Sequence, residues 1–271
     1  MAARNMGVLL LGADYYGTLA AARAYGRAGL RVAMADANRQ ARALFSRHVA
    51  EKLVHPPLSR PKELVDWLVD WGTKNADRSA LLYPPNDHLA WLFAAERERL
   101  SQAFSMFSPS EEAVFTLLDK KRLHEACAHV GIDVPLTLTV DDVERGRDMP
   151  FPVLLKPRTQ VYLTSGIKGF IAHDRAELEA QLKRFRALVT FDPFLTERHP
   201  DIAEPMVQEY LTAAETNIFS VSGFVSTDGS IVARAAMKVL QRPRKVGIGL
   251  CFEGRHVEEP LVEKLAALCK R

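Results

Sequence analysis

Four stretches of the chain place lysines, glycines, a hydroxyl and carboxylates in an order that could handle an anion. In the first, PFPVLLK (150–156), a run with the make-up of a buried strand ends on Lys156. The stem would lie among apolar groups and the ammonium at the rim of a sheet. Burying that charge unpaired costs several kcal/mol, so the ammonium either snorkels to water or meets an anion. In the second, Lys120-Lys121-Arg122 follows Asp119 on the first turn of a helix. The helix dipole already makes that end positive, and each cation there is unfavourable by about 0.3–1 kcal/mol. The cluster is either a solvated charge run or the neighbour of something anionic.

The third stretch, Ser165-Gly166-Ile167-Lys168-Gly169, lies between two strand-like segments. Glycines let backbone N–H groups approach a phosphate closely; the same residues also suit an ordinary hairpin tip. The fourth, MVQEYLTAAET (206–216), reads as a strand ending in Gln208-Glu209-Tyr210-Leu211, with Glu215 after a short bend. Exposed backbone N–H and C=O groups there could meet the edge of an adenine, and Glu215 could accept both hydroxyls of a ribose. A surface strand with ordinary charges is the alternative. The P-loop pattern G-x-x-x-x-G-K-[ST] is absent.

Other chemistries find little support. His88, His124 and His173 are scattered, and no Ser/His/Asp or Cys/His arrangement stands out. Cys127, Cys251 and Cys269 form neither a CxxC pair nor a metal-ligand spacing, which suits a reducing cytoplasm. With 271 residues, 48% hydrophobic, 25% charged and a net charge of +3, the chain reads as a globular protein of about two domains. That charge is too balanced to argue for nucleic acid or a polybasic membrane anchor. The apolar runs are too short to span a bilayer, and Met6–Leu11 reads as a first strand rather than a signal peptide.

The elements that must carry these residues begin with a βαβ pattern. Gly7–Leu11 and Arg31–Ala35 are strands around a helix over Leu19–Arg27, which predicts a parallel sheet. Lys62–Trp71 is an amphipathic helix, Ser79–Tyr83 a strand, His88–Arg99 a helix and Phe104–Phe107 a short edge strand. Asp119 caps a helix running to Val130, stopped by Gly131, with a linker from Pro135 to about Pro150. Gly169–His173 should pair with the strand ending at Lys156, and Arg175–Leu188 is a helix. Asp192–Pro205 reads as a loop. Strands follow at Met206–Leu211, Asn217–Ser226, Ile231–Val239 and Val246–Phe252, with a hairpin turn at Asp228-Gly229 and a last helix at Glu258–Lys270. Gly12 and Gly17 with Asp36 also suggest part of a dinucleotide-binding turn, an NAD module, but Asp14 stands where the second glycine belongs.

Taken in order, Asp119-Lys120 opening a helix that ends at Gly131-Ile132 with Pro135 beyond, then FPVLLKP, SGIKG and VQEYLTAAET, resemble the ATP-grasp superfamily. The likeness is greatest to its carboxylate–amine ligases and to the carbamoyl-phosphate-synthase large-chain and biotin-carboxylase branch. The opening region, with Pro85-Asn86-Asp87, resembles the pre-ATP-grasp domain. The resemblance implies an α/β fold: a parallel-sheet pre-ATP-grasp domain over 1–112, then an α+β ATP-grasp domain in two subdomains, 113–190 and 191–271, C-terminally incomplete. It implies that Lys120 and Lys156 contact the α- and β-phosphates of ATP, and that Ser165, Gly166, Lys168 and Gly169 form a mobile lid. Gln208, Glu209 and Leu211 would form the adenine hinge and Glu215 would hold the ribose. Lys238, Arg242 and Arg244 would sit near the γ-phosphate or a substrate carboxylate, as the catalytic cations.

The implied activity is an ATP-dependent ligase that activates a small-molecule carboxylate for attack by an amine, with no nucleic acid or membrane partner. A non-catalytic ATP-binding subunit or sensor is the alternative. Two departures accompany the resemblance. The lid has fewer glycines than the GGGG-type loops of the biotin-carboxylase branch. Relatives also follow the last helix with acidic and Asn ligands for Mg²⁺, and none follows before Arg271. The expectation is therefore a fragment, a truncated chain or half of a split enzyme, with metal ligands beyond residue 271 and none within the chain. A homodimer and a C-terminal partner segment both stay open.

Overall fold

The computed structural model describes residues 7–76, 80–107, 109–226, 228–242 and 248–270. They fall into two compact units. One runs to Leu118 and takes in Asp192–Leu195; the other holds Asp119–Phe191 and the chain from Thr196 onward.

In the first unit, β1 (Gly7–Leu11), α1 (Tyr16–Arg27), β2 (Arg31–Asp36), β3 (Val49–Val54), α2 (Pro61–Lys74), β4 (Leu81–Tyr83), α3 (Asp87–Ala95), α4 (Arg97–Leu100), β5 (Ser105–Met106) and α5 (Glu111–Leu118) follow in order. The strands form a parallel sheet, β3-β2-β1-β4-β5. All of β1 and the middle of β2 are buried, as expected of strands covered on both faces, and this explains their continuous apolar reading. β3 was not expected: it is an edge strand whose burial alternates, and Glu51-Lys52 interrupt its apolar pattern. α5 was also missed. The helix expected over His88–Arg99 is two helices, broken at Glu96, and the first is capped by Asn86, whose side chain accepts from the Leu89 N–H at 3.0 Å.

The second unit holds α6 (Lys120–His129), β6 (Thr137–Thr139), α7 (Val140–Glu144), β7 (Val153–Lys156), β8 (Phe170–Ala172) and α8 (Arg175–Leu188). The short α9 (Pro193–Thr196) leads on to β9 (Met206–Glu209), β10 (Ile218–Val225), β11 (Ile231–Arg242), β12 (Ile248–Arg255) and α10 (Glu259–Cys269). An antiparallel sheet runs β6-β9-β7-β8, and the expected β7–β8 pairing is present, Val153 opposite Ala172 and Leu155 opposite Phe170. The stretch read as a linker contains β6 and α7. A capping box starts α7: the Thr139 hydroxyl accepts from the Asp142 N–H, and the Asp142 carboxylate accepts from the Thr139 N–H. Leu138, Val153, Leu155, Ala172 and Val207 turn one face of the sheet onto Leu178, Leu182 and Phe185 of α8. The second sheet, β10-β11-β12, is antiparallel. Gly229, at φ +82°, makes the turn between β10 and β11, which an L side chain would strain. Among the described residues, no helix is long and apolar enough to cross a membrane.

A buried ion pair joins the start of α6 to the exit of β7. Asp119 is fully buried, and its carboxylate takes the Arg158 guanidinium through both oxygens, Nε at 3.0 Å on one and Nη2 on the other. The same carboxylate caps α6, accepting from the Lys121 N–H at 3.0 Å. Arg158 also donates to the Asp201 carbonyl at 2.9 Å and pairs with the Asp201 carboxylate at 2.8 Å. Removing one partner of a buried pair strands the other charge, so Asp119→Asn should cost about 3 kcal/mol of unfolding free energy. Urea denaturation measures this; a loss below about 0.5 kcal/mol would show that the pair does not hold α6 in place.

His55, just past β3, is buried with its ring 5.9 Å from that of Trp67. Nδ1 donates to the Pro56 carbonyl at 2.6 Å, and Nε2 is buried with no hydrogen-bond partner. Burial pushes the imidazole pKa below its usual 6.5, opposed by the Pro56 carbonyl and the Asp36 charge. A depressed folded value means stability is held above 6.5 and lost as pH falls through the folded pKa. The urea midpoint should therefore drop between about pH 8 and about pH 5, and His55→Gln should flatten that drop. An unchanged slope in the variant would assign the acid sensitivity elsewhere.

Candidate functional site

Side chains alternate along β7, so Leu154 and Lys156 face away from the α8 core, and the register puts Gln208 of β9 and Thr137 of β6 on the same face. A polar ladder crosses three strands there. The Lys156 ammonium donates to Gln208 Oε1 at 2.7 Å, Gln208 Nε2 donates to the Thr137 hydroxyl at 2.9 Å, and that hydroxyl donates to the Pro135 carbonyl at 3.0 Å. No carboxylate pairs with Lys156 among the described residues. Burial lowers its pKa from the usual lysine value, which is the sign of a desolvated cation without a counter-charge.

Lys120 approaches the end of the same strand. Its backbone N–H and its ammonium both donate to the Arg158 carbonyl, at 2.8 and 3.2 Å, two residues past Lys156. Its two neighbours behave differently. Lys121 pairs with Glu125 at 2.8 Å, and Arg122 lies 3.4 Å from the Asp119 carboxylate and 4.0 Å from that of Asp201. The cluster therefore does not act as three cations awaiting an anion: two have carboxylates of their own.

Gly169 leads the third stretch back into the sheet. A Cβ at Gly169 would come 2.8 Å from the Leu155 carbonyl and 3.2 Å from Lys156 Cβ, so only glycine lets this loop lie against the strand end. Ser165, Gly166 and Lys168 are exposed. Glu209 is more committed than expected, with its N–H donating to the Leu136 carbonyl at 2.9 Å and its carboxylate accepting from the Leu136 N–H at 3.0 Å. Leu211 is half exposed, and its carbonyl accepts from the Ala214 N–H at 2.9 Å. Glu215, on a 3₁₀ turn over Thr212–Glu215, accepts from the Tyr210 hydroxyl at 3.0 Å, and the Tyr210 N–H holds the Pro152 carbonyl at 3.1 Å.

Beyond Glu215 opens a cavity of about 470 Å³, lined by residues 214–216, Ile218 and residues 237–242. It brings Glu215, Lys238 and Arg242 together. The Lys238 ammonium donates to the buried Gln241 side chain, and Arg242 Nη1 donates to the Gln241 carbonyl at 3.1 Å. Arg244 lies outside the described residues. Arg158 and Gln160 were missed as site residues, although both lie within four residues of Lys156. Thr137 carried no signal at all.

The dinucleotide alternative meets two occupied carboxylates in the first unit. Asp36 accepts from the Ala13 N–H at 2.6 Å and the Asn38 N–H at 2.8 Å, while Asp14 is held by the Arg42 N–H at 3.1 Å. Asp36, which would be the ribose acid, thus has a backbone N–H on each of its oxygens.

No family model matches the sequence, and neither does any curated protein. Solved structures do match. An L-amino acid ligase from Bacillus licheniformis is 14% identical at a TM-score of 0.68, over 98% of this chain and 62% of that one. N5-carboxyaminoimidazole synthetase from Staphylococcus aureus is 12% identical at a TM-score of 0.65, with the same coverage of 98% and 62%. Biotin carboxylase from Campylobacter jejuni, solved as a β-γ-ATP complex, is 14% identical at a TM-score of 0.64, over 98% and 59%. The chain thus spans about three-fifths of the length of each. At this identity the likeness speaks for architecture: nearly the whole chain has the fold of these ATP-grasp ligases.

Proposed function

We infer that the chain binds ATP on the outer face of the β6-β9-β7-β8 sheet and belongs to a ligase that joins a carboxylate to an amine. The observation that carries this reading is the Lys156 ammonium, desolvated and hydrogen-bonded only to a neutral amide. Such a cation gains most from a polyanion placed beside it. Lys120 and Lys156 take the α- and β-phosphates. Ser165, Gly166, Lys168 and Gly169 close over them. Gln208, Glu209 and Leu211 form the adenine hinge, Glu209 and Leu211 through their backbone; the Glu209 carboxylate and N–H are tied to Leu136 and take no part. Glu215 receives the ribose, sharing its carboxylate with Tyr210. Lys238 and Arg242, with Arg244, meet the γ-phosphate or the substrate carboxylate.

In the reaction a substrate carboxylate oxygen attacks the γ-phosphorus, giving an acyl phosphate and ADP. An amine then attacks the acyl carbon, phosphate leaves, and the nitrogen gives up its proton as the amide forms. The residues act by positioning the reactants and by countering charge. Phosphoryl transfer of this kind draws on Mg²⁺ to neutralise developing charge. Among the described residues, no group of three His, Cys, Asp or Glu side chains is placed to hold a metal ion, so the donors here do not fit that role.

Calorimetry with ATP and Mg²⁺ tests the reading. Lys156→Met should weaken binding about 30-fold or more, the scale of one charge-assisted hydrogen bond. The unliganded variant should stay within about 1 kcal/mol of wild type, because a desolvated charge is removed along with its hydrogen bond. Equal affinity in wild type and variant would overturn the site. A thermal shift with NAD(H) but not ATP would return the reading to the dinucleotide module. ATP binding with no phosphate release on adding carboxylate and amine substrates would favour the non-catalytic subunit.

A further inference from the structure

The Ser165–Gly169 loop is docked in this structure, and the contacts that dock it converge on one side chain that the ATP reading leaves without a role. Gln160 lies four residues past Lys156. Its Oε1 accepts from the Lys168 ammonium at 2.9 Å, and its Nε2 donates to the Ile167 carbonyl at 3.3 Å. The amide is used at both ends and in one orientation only, since an ammonium needs the oxygen and a carbonyl needs the nitrogen. The segment beneath it is packed: Thr159 is fully buried, and its hydroxyl accepts from the Val161 N–H at 3.1 Å.

The rest of the loop is pinned on either side of that clip. The Thr164 N–H and hydroxyl both donate to the Thr190 carbonyl, each at 2.9 Å. Ile167, partly buried, packs against the core formed with α8. Gly169 sits against Leu155 and Lys156. Thr164, Ser165, Gly166 and Lys168 are exposed. Of these, Lys168 alone carries a charge, and its partner is a neutral amide.

We propose that Gln160 is the positioning residue of this loop, clipping Lys168 and the Ile167 carbonyl so that the unliganded loop stays docked until a polyphosphate takes the lysine away. The proposal rests on the ATP reading for the ligand but not for the clip. An ammonium bonds an anionic phosphate more strongly than a neutral amide. A triphosphate beside Lys156 therefore competes for Lys168, and losing that contact leaves Gln160 holding only the Ile167 carbonyl. Gln160 touches neither nucleotide nor substrate in this scheme; it acts through the loop.

Trypsin reads the clip directly, because Lys168 is itself a cleavage site within the loop. In the full chain without nucleotide, Gln160→Ala should raise the initial rate of cleavage after Lys168 about five- to tenfold, the scale of one net hydrogen bond, with cleavage at other lysines and arginines unchanged. Gln160→Glu keeps the acceptor and adds a charge for Lys168, so its rate should stay at or below that of wild type. ATP should protect Lys168 in wild type, and Gln160→Glu should need more ATP for the same protection. Unchanged cleavage in Gln160→Ala overturns the clip, whatever nucleotide does. Faster cleavage in Gln160→Ala with no protection of wild type by ATP keeps the clip and overturns the ATP reading.

Discussion

The contact on which the second unit depends is the Asp119–Arg158 pair. Burying two charges is costly, and such a pair adds little net stability over an apolar substitute. What it secures is geometry. Asp119 caps α6 and grips Arg158 at once, so the first turn of the helix is fixed to the chain leaving β7. The two cations of interest are thereby fixed to each other, since Lys120 follows Asp119 in sequence and hydrogen-bonds the carbonyl of the residue it grips. Lys156 is two residues away on a strand whose other face is locked into the α8 core. A fluctuating salt bridge at the surface could not hold two ammonium groups in register; a buried one, with Asp201 on the remaining guanidinium donors, can.

The charges around this pair separate into two kinds. Lys121, Arg122 and Arg158 have carboxylate partners, so the placement of the first two against the α6 dipole is compensated within the fold. Lys156 has Gln208, and Lys168 has Gln160, both neutral. Amide partners keep an ammonium oriented without cancelling its charge, and that leaves positive potential for a ligand. The distinction matters more than the number of lysines and arginines, and the exposed ion pairs among them carry small energetic weight.

Much of this was readable from residue order. The buried runs of β1, β2 and β7, the cap at Asp119, and the Asp228-Gly229 turn are local signals, and each appears where local chemistry puts it. Two of the missed elements have weak local signals: β3, an edge strand interrupted by two charges, and β6, three residues paired to a strand far along the chain; α5 and α7, the latter with its capping box, carried local signals that were overlooked. The site divides in the same way. The four stretches were visible one by one, but their connections were not. Gln208 reaches Lys156 across 52 residues, and Arg158 reaches Asp119 across 39. No periodicity or turn rule reports such a pairing; only the sheet register and the packing of α6 create it.

The cavity side of the site follows a similar logic with one difference. Glu215 gives one carboxylate oxygen to the Tyr210 hydroxyl, and Tyr210 is fixed to Pro152 by its backbone. The acid is therefore held in place by the end of β9 rather than by the 3₁₀ turn that carries it. In the ATP site proposed above, the other oxygen is the one that takes a sugar hydroxyl. A second hydroxyl must share with Tyr210, which can turn its own proton away and accept instead. Across the cavity Lys238 is held on Gln241, again an amide. The same device, a cation oriented by a neutral partner, thus occurs on both sheets of the second unit: on β7, on the loop after it, and on β11. That recurrence argues for three positions prepared for negative charge more strongly than any one of them does alone.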